Sequence, residues 1–193
     1  TAFIVPRDAP GLSLHPYKDK FGFRPICTGE LVMDEMRIPA DALLGVEGEG
    51  FKVAMDVSCH SFVRMAKLAA PLMKEGGSMF AMSYHGAQKV VDNYNVMGPV
   101  KAALEACCRY LAYELGPQKI RVHAISPGPL KTRAAGGLKD FDLLLAKAAR
   151  KAPVGELVDI MDVGFACAFL ATPYARRLSG DTLYIDGGVN IMA

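Results

Sequence analysis

A phenol and an ammonium group stand seven residues apart in DNYNVMGPVKAALEACCRYLAYELG, residues 92–116: they belong to Tyr94 and Lys101. Seven residues is two helical turns, so on a helix both side chains project from one face. The cation can then stabilise negative charge near the phenol, and the phenol can donate a hydrogen bond to an oxygen on which charge develops. Alone, such a pair could equally face solvent at a helix N-terminus; its weight depends on the residues around it. Tyr84, ten residues upstream, supplies a second phenol, which by itself could be a strand-end aromatic packed on the core.

The elements that would carry these groups alternate. From Phe51 the apolar residues of FKVAMDVSCHSFVRMAKLAAPLMKEGG recur at helical spacing up to the Gly76-Gly77 stop. SMFAMS, residues 78–83, follows as a short apolar strand, and then comes the helix of Tyr94 and Lys101, predicted over 93–115 and ended by Gly116-Pro117. IRVHAIS, residues 120–126, is a second strand, followed by the loop PGPLKTRAAGGLKDF. An amphipathic helix is expected over 140–152, and Asp159 is placed to cap another over 160–171. DTLYIDGG closes with a third strand and a glycine turn. Strands alternating with helices predict an α/β fold with a parallel sheet covered on both faces.

Residues 1 to about 50 have another texture. TAFIV reads as a strand, PRDAPG as a turn, GELVMDEMRIP as a strand ending near Pro39, and ADALLGVEGEG as a glycine-rich bend before a helix. GVEGEG has its glycines in the wrong order for a dinucleotide loop, and no G-x-G-x-x-G occurs in the sequence.

The 193 residues suffice for one ordinary domain, or one and a fraction, and a hydrophobic content of 51% supports a substantial interior. The net charge of +2 is scattered, which argues for solvated faces and against a nucleic-acid surface. No apolar run reaches membrane length. Five cysteines, an odd number without a C-x-x-C pair, predict a reduced cytoplasmic protein with thiols as small core residues. Four histidines without i, i+4 pairing predict no metal site. The Thr start suggests a chain that begins inside a longer protein or follows processing.

From about residue 54 onward, SYHGAQKVVDNYNVMGPVKAALEA, IRVHAISPGPLKT, GLKDF, APVGELVDIMDVG and GDTLYIDGG together resemble the NADH-dependent enoyl-[acyl-carrier-protein] reductases, a branch of the short-chain dehydrogenase/reductases. The resemblance covers about the C-terminal half of such an enzyme. It implies the C-terminal half of a Rossmann-like doubly wound parallel sheet over 54–193. Residues 1 to about 57 resemble instead the end of the middle β-domain of an acyl-CoA dehydrogenase, through TAFIVPRDAPGLS and DKFGFRPICTGELVMDEMRIPADALLGVEGEGFKVAMD, and imply a partial β-barrel segment over 1–53. The two patterns merge around FKVAMDV, so the chain reads as a junction of two partial folds: a natural fusion, a gene-model error or a chimera.

What the reductase resemblance implies for the site is specific. Hydride would pass from NADH to the β-carbon of a trans-2-enoyl thioester carried by acyl-carrier protein, in fatty-acid biosynthesis. Tyr94 would donate to the enolate oxygen, Lys101 would hold the nicotinamide ribose hydroxyls, and Tyr84 would line the acyl pocket near the β-carbon. Leu130 and Thr132 match the positions that contact the nicotinamide carboxamide and the phosphates. Met97, Ala134, Leu138 and Phe141 correspond to the acyl pocket, although a Met or Phe at helical spacing can equally be core. The segment 134–141 would be a substrate lid.

The family's cofactor-binding first half, with its pyrophosphate loop, has no match in the sequence. Two other readings therefore stand beside the reductase: a flavin-dependent (FAD) acyl-CoA dehydrogenase fragment, and a non-catalytic chain that associates through leftover surfaces. Reductases of this kind are usually homotetramers, so a homo-oligomer is implied, with the 93–115 helix at an interface. The 78–83 strand would present an apolar edge, which predicts association, aggregation or capping by the N-terminal β segment.

Overall fold

The computed structural model describes residues 1–16, 29–91, 94–128, 130 and 149–192. The N-terminal region forms two small antiparallel pairs. Strand β1 (Ala2–Phe3) runs against β4 (Leu43–Leu44), and β2 (Leu12–Pro16) against β3 (Gly29–Met33). β3 stops at Met33, not near Pro39: Glu35 adopts a φ of 44°, which turns the chain out of the extended region. Among the described residues of 1–53 these are two separate ladders and no closed barrel.

Gly45 and Gly48, with φ of 78° and 86°, make the bend that releases the chain into helix α1 (Gly50–Met55). A π-helical turn, Asp56–His60, joins α1 to α2 (Ser61–Ala69). On this continuous helix Cys59, Phe62, Ala66 and Ala70 recur every three or four residues and form its buried stripe.

The central sheet has the order β5-β6-β7, all parallel, with β5 at Gly77–Met82, β6 at Ile120–Pro127 and β7 at Thr182–Ile185. Helix α3 (Met97–Leu115) crosses from β5 to β6, and α4 (Ile160–Ala171) leads to β7. Side chains alternate across the sheet. Met79, Ala81, Ile120, Val122 and Ala124 meet Val100, Leu104 and Cys108 of α3 and the stripe of α2. Phe80, Ile125 and Ile185 meet Val163, Cys167 and Leu170 of α4 on the other face. Ile120, Val122 and Ile125 are at most 1% exposed, and each such burial stabilises the fold by about 1.5–3 kcal/mol.

The cap expected of Asp159 forms: its Oδ1 accepts from the backbone N–H groups of Met161 (2.6 Å) and Asp162 (2.9 Å), and Asp162 accepts in return from the N–H of Asp159. The helix expected over 140–152 falls largely outside the described residues; 149–151 are helical.

β5 is the edge of the sheet among the described residues. Gly77 and Ser83 donate to the carbonyls of Lys119 and Ile125, so in a parallel ladder the backbone groups of Ser78, Phe80 and Met82 turn away from β6. The described N-terminal strands pair with each other and do not cap this edge.

Candidate active site

The expected Tyr-Lys stripe needs one correction. Helix α3 begins at Met97, so Tyr94 stands in the turn before it and not on the helix. Pro99 is the reason: it has no N–H to return to the carbonyl of Asn95, and the regular ladder cannot start earlier. Instead Gly98 donates to the carbonyl of Tyr94 at 2.8 Å, and the Asn95 side chain accepts from the N–H of Val96 at 2.9 Å. These bonds fix Tyr94 at the mouth of the helix.

Three of the expected residues converge at the C-terminal end of β5, where open α/β sheets bind ligands. The rings of Tyr84 and Tyr94 meet edge to face, centroids 5.2 Å apart. Gly86 lets them approach, since a Cβ there would lie 2.6 Å from Tyr94 Cδ1 and 3.3 Å from Tyr84 Cδ1. Lys101 is half-buried and its Nζ donates to the carbonyl of Met82 at 2.7 Å, one of the outward groups on the free edge. Tyr94 and Lys101 are thus held by different parts of one strand end.

Burial sets the protonation states. It raises the Tyr94 pKa, and it raises that of Tyr84 with a further push from Tyr94, so both phenols keep their protons at neutral pH and can donate. Burial lowers the Lys101 pKa, against a smaller opposing influence of Cys59.

A cleft of about 500 Å³ opens beside Tyr94, lined by residues 86–91, Asn95, Gly98, Pro99 and Ala102. Met97 turns elsewhere: it is half-buried and packs against the core of α2, α3 and β5, so its described contacts are with the core and not with this cleft. Leu130 is half-buried just after β6, near Gly128, which donates to the carbonyl of Ile185 at 2.8 Å and runs so close to Asp186 that a Cβ would lie 3.0 Å from its Cα. Thr132, Ala134, Leu138 and Phe141 lie outside the described residues.

Sequence reasoning missed Glu105. It lies 3% exposed one turn beyond Lys101, with Ser83 and Gln88 donating to its two oxygens at 2.5 and 3.3 Å. The available signal was an acid on the same apolar stripe as Val100, Leu104 and Cys108.

A parallel sheet sandwiched between helices, with phenol and ammonium groups at its C-terminal edge, defines a Rossmann-like α/β protein. The family model described as "Enoyl-(Acyl carrier protein) reductase" matches residues 37–190. The "Enoyl-[acyl-carrier-protein] reductase [NADH] FabI" of Salmonella typhimurium is 44% identical over 157 residues, 81% of this chain and 60% of that protein. A solved enoyl-(acyl-carrier-protein) reductase of Anaplasma phagocytophilum, in complex with NAD, superposes with a TM-score of 0.69 at 40% identity, over 77% of this chain and 54% of that one. The Bacillus cereus enzyme, with NADP+ and indole naphthyridinone, gives 0.72 at 39% identity, over 76% and 57%. The chain belongs to the enoyl-[acyl-carrier-protein] reductase family, within the short-chain dehydrogenase/reductases. It spans about 60% of the length of the curated relatives it matches first. The family match reaches into the segment 1–53 expected to be separate, and none of these matches favours the flavin-dependent reading.

Proposed function

We propose that this chain carries the nicotinamide end of an NADH-dependent enoyl-[acyl-carrier-protein] reductase site, acting on a trans-2-enoyl thioester borne by acyl-carrier protein in fatty-acid biosynthesis. The observation that carries the reading is the convergence of Tyr84, Tyr94 and Lys101 at the end of β5 in a member of this family.

The donor set fits the nicotinamide end of the cofactor. An ammonium group has three donors; Lys101 spends one on Met82 and keeps two for a pair of ribose hydroxyls. Leu130, just after β6, and Thr132 would contact the carboxamide and phosphates. The sequence holds no glycine-rich pyrophosphate loop, so within this chain the phosphates lack backbone donors worth several kcal/mol. NADH, when bound, supplies the hydride to the β-carbon.

The chain's own residues do the rest. Tyr94, kept protonated by burial, donates to the thioester carbonyl as charge builds there, a contribution of about 3–4 kcal/mol for one such donor in a dry site. Tyr84 braces the Tyr94 ring and lines the acyl pocket. Ala134, Leu138 and Phe141 complete that pocket in this reading, with 134–141 as its lid, and residues 1–53 form a distinct segment ahead of the reductase domain. The assembly is a homo-oligomer. A second reading, a non-catalytic chain that associates through the edge of β5, is favoured by the outward backbone groups of Ser78 and Phe80, which have no strand partner among the described residues.

NADH fluorescence titration and turnover of a crotonyl thioester test the proposal. Saturable binding at micromolar concentration, with Tyr94→Phe lowering turnover by about 10²-fold or more while the thermal midpoint holds, is the expected result. Full rate in Tyr94→Phe removes Tyr94 from its role. Absence of NADH binding together with concentration-dependent association favours the non-catalytic reading.

A further inference from the structure

Glu105 is a buried carboxylate whose described partners are neutral. Ser83 Oγ donates to its Oε1 at 2.5 Å, and Gln88 Nε2 to its Oε2 at 3.3 Å. Ser83 and Gln88 bracket the short segment that carries Tyr84 and the single helical turn His85–Ala87. One side chain of α3 therefore ties both ends of that segment to the helix, one oxygen to each end. Lys101, a turn earlier on α3, adds a third tie at Met82.

The strand register extends the layer. Met82 pairs with Ile125 and Ser126 with Tyr184, so Ser83, Ser126 and Tyr184 stand in a row across the sheet on the face that α3 covers. Ser126 is 1% exposed, and neither its hydroxyl nor that of Tyr184 has a protein partner among the described residues. Directly behind this row the same face is apolar, with Ala81 and Ala124 against Val100 and Leu104. Burying an acid there is unfavourable unless its bonds are made, and an apolar residue would pack as Leu104 and Cys108 do.

We propose that Glu105 is a positioning residue: by clamping Ser83 and Gln88 it sets the ring of Tyr84 against Tyr94. The functional meaning rests on the reading of those two phenols as the active site; the clamp itself does not.

Hydrogen-exchange mass spectrometry of the whole chain tests it, with near-ultraviolet circular dichroism as the second readout. The chain has no Trp and seven Tyr, so the near-ultraviolet band above the Phe region reports tyrosine packing. Glu105→Ala is expected to speed exchange over residues 84–91 by about tenfold or more, and to weaken the tyrosine band, while 120–127 in β6 exchanges as before. Glu105→Gln can still accept from Ser83 and, with the Gln88 amide turned over, donate to Gln88, so it should restore both signals. If Glu105→Ala does not fold, Ser83→Ala and Gln88→Ala each release one end and should each speed exchange at 84–91. Unchanged exchange there in Glu105→Ala, or in both end variants, overturns the proposal. So does a rise shared equally by β6, which would make Glu105 a general core residue. Failure of the wild type to bind NADH would sink the enzymatic reading and leave the exchange result standing.

Discussion

The approach of Tyr84 and Tyr94 depends on the absence of one methyl group, and this can be put to a severe test. A Cβ at Gly86 would lie 2.6 Å from Cδ1 and 2.9 Å from Cε1 of Tyr94. Carbon atoms in ordinary contact sit at about 3.5–4.0 Å, so in Gly86→Ala the Tyr94 ring must withdraw by about 1 Å. Gly86 does not have a positive φ, so alanine meets no backbone strain and the effect comes from the ring. Overpacking of this kind destabilises by about 1–3 kcal/mol, and a half-buried ring that can swing outward places the loss near the lower end. In a chain of this size that is a fall of about 2–4 °C in thermal midpoint. The functional effect is larger, because a misplacement of about 1 Å at a reacting group lowers turnover by about 10²-fold. Thermal unfolding, the tyrosine band and crotonyl-thioester turnover with NADH read the three consequences. Gly164→Ala, exposed on α4, is the control, since its Cβ would meet no atom within 4 Å. A Gly86→Ala protein with wild-type melting, band and rate would refute the packing of the two phenols.

Three further outcomes follow from the same geometry. Asp159→Ala removes the side-chain half of the reciprocal cap on α4, the bonds from the Met161 and Asp162 N–H groups, and should lower stability by about 1 kcal/mol in thermal or urea unfolding, whereas Asp159→Ser should recover most of it. On the exposed face of the helix that precedes β5, the Arg64 guanidinium and then His60 hold the Asp56 carboxyl down at about 2. Its folded pKa is below the ordinary 3.8, so the stability it adds is present above about pH 4 and lost as pH falls towards 2; Asp56→Asn should flatten the thermal midpoint across that window, an effect that salt diminishes. Burial, and then the neighbouring Cys107 at 3.8 Å, push the Cys59 thiol up to about 11, so at pH 8 Cys59 should react with iodoacetamide far more slowly in the folded chain than in urea, as followed by peptide mass spectrometry.

Much of the α/β half is legible in the sequence because local signals and burial agree there. Asp159 followed by an apolar stretch marks the start of α4, and the structure places the helix at Ile160–Ala171 with both cap bonds made. The β-branched run of β6 lies buried on both faces, as a central strand of a parallel sheet should. Legibility fails where a single backbone atom or a tertiary contact decides. The spacing of Tyr94 and Lys101 suggests one continuous helical face, but the missing N–H of Pro99 moves the helix start past Tyr94. Glu105 shares the apolar stripe of α3, but its role is set by Ser83 and Gln88, which reach it from the end of β5 and the segment beyond. In the N-terminal region the short apolar runs resemble strands of a larger barrel, yet two- and five-residue ladders are all that the described backbone supports.

The correction at Tyr94 changes how the site is held rigid. Two residues on one helix would be fixed relative to each other by the helix alone. Here Tyr94 sits on a turn, Tyr84 on the loop after β5 and Lys101 on α3, so their geometry depends on ties between elements. Those ties are concentrated at Met82, Ser83 and Gln88, each bonded by a side chain from one stretch of α3. Such an arrangement places the working groups at the end of a strand whose outer edge is unpaired among the described residues, and it uses α3 in place of a neighbouring strand to hold that end still. The order of the two phenols therefore follows from the packing of α3 on β5, which the core of Val100, Leu104, Met79 and Ala81 secures without any contribution from a phosphate-binding loop.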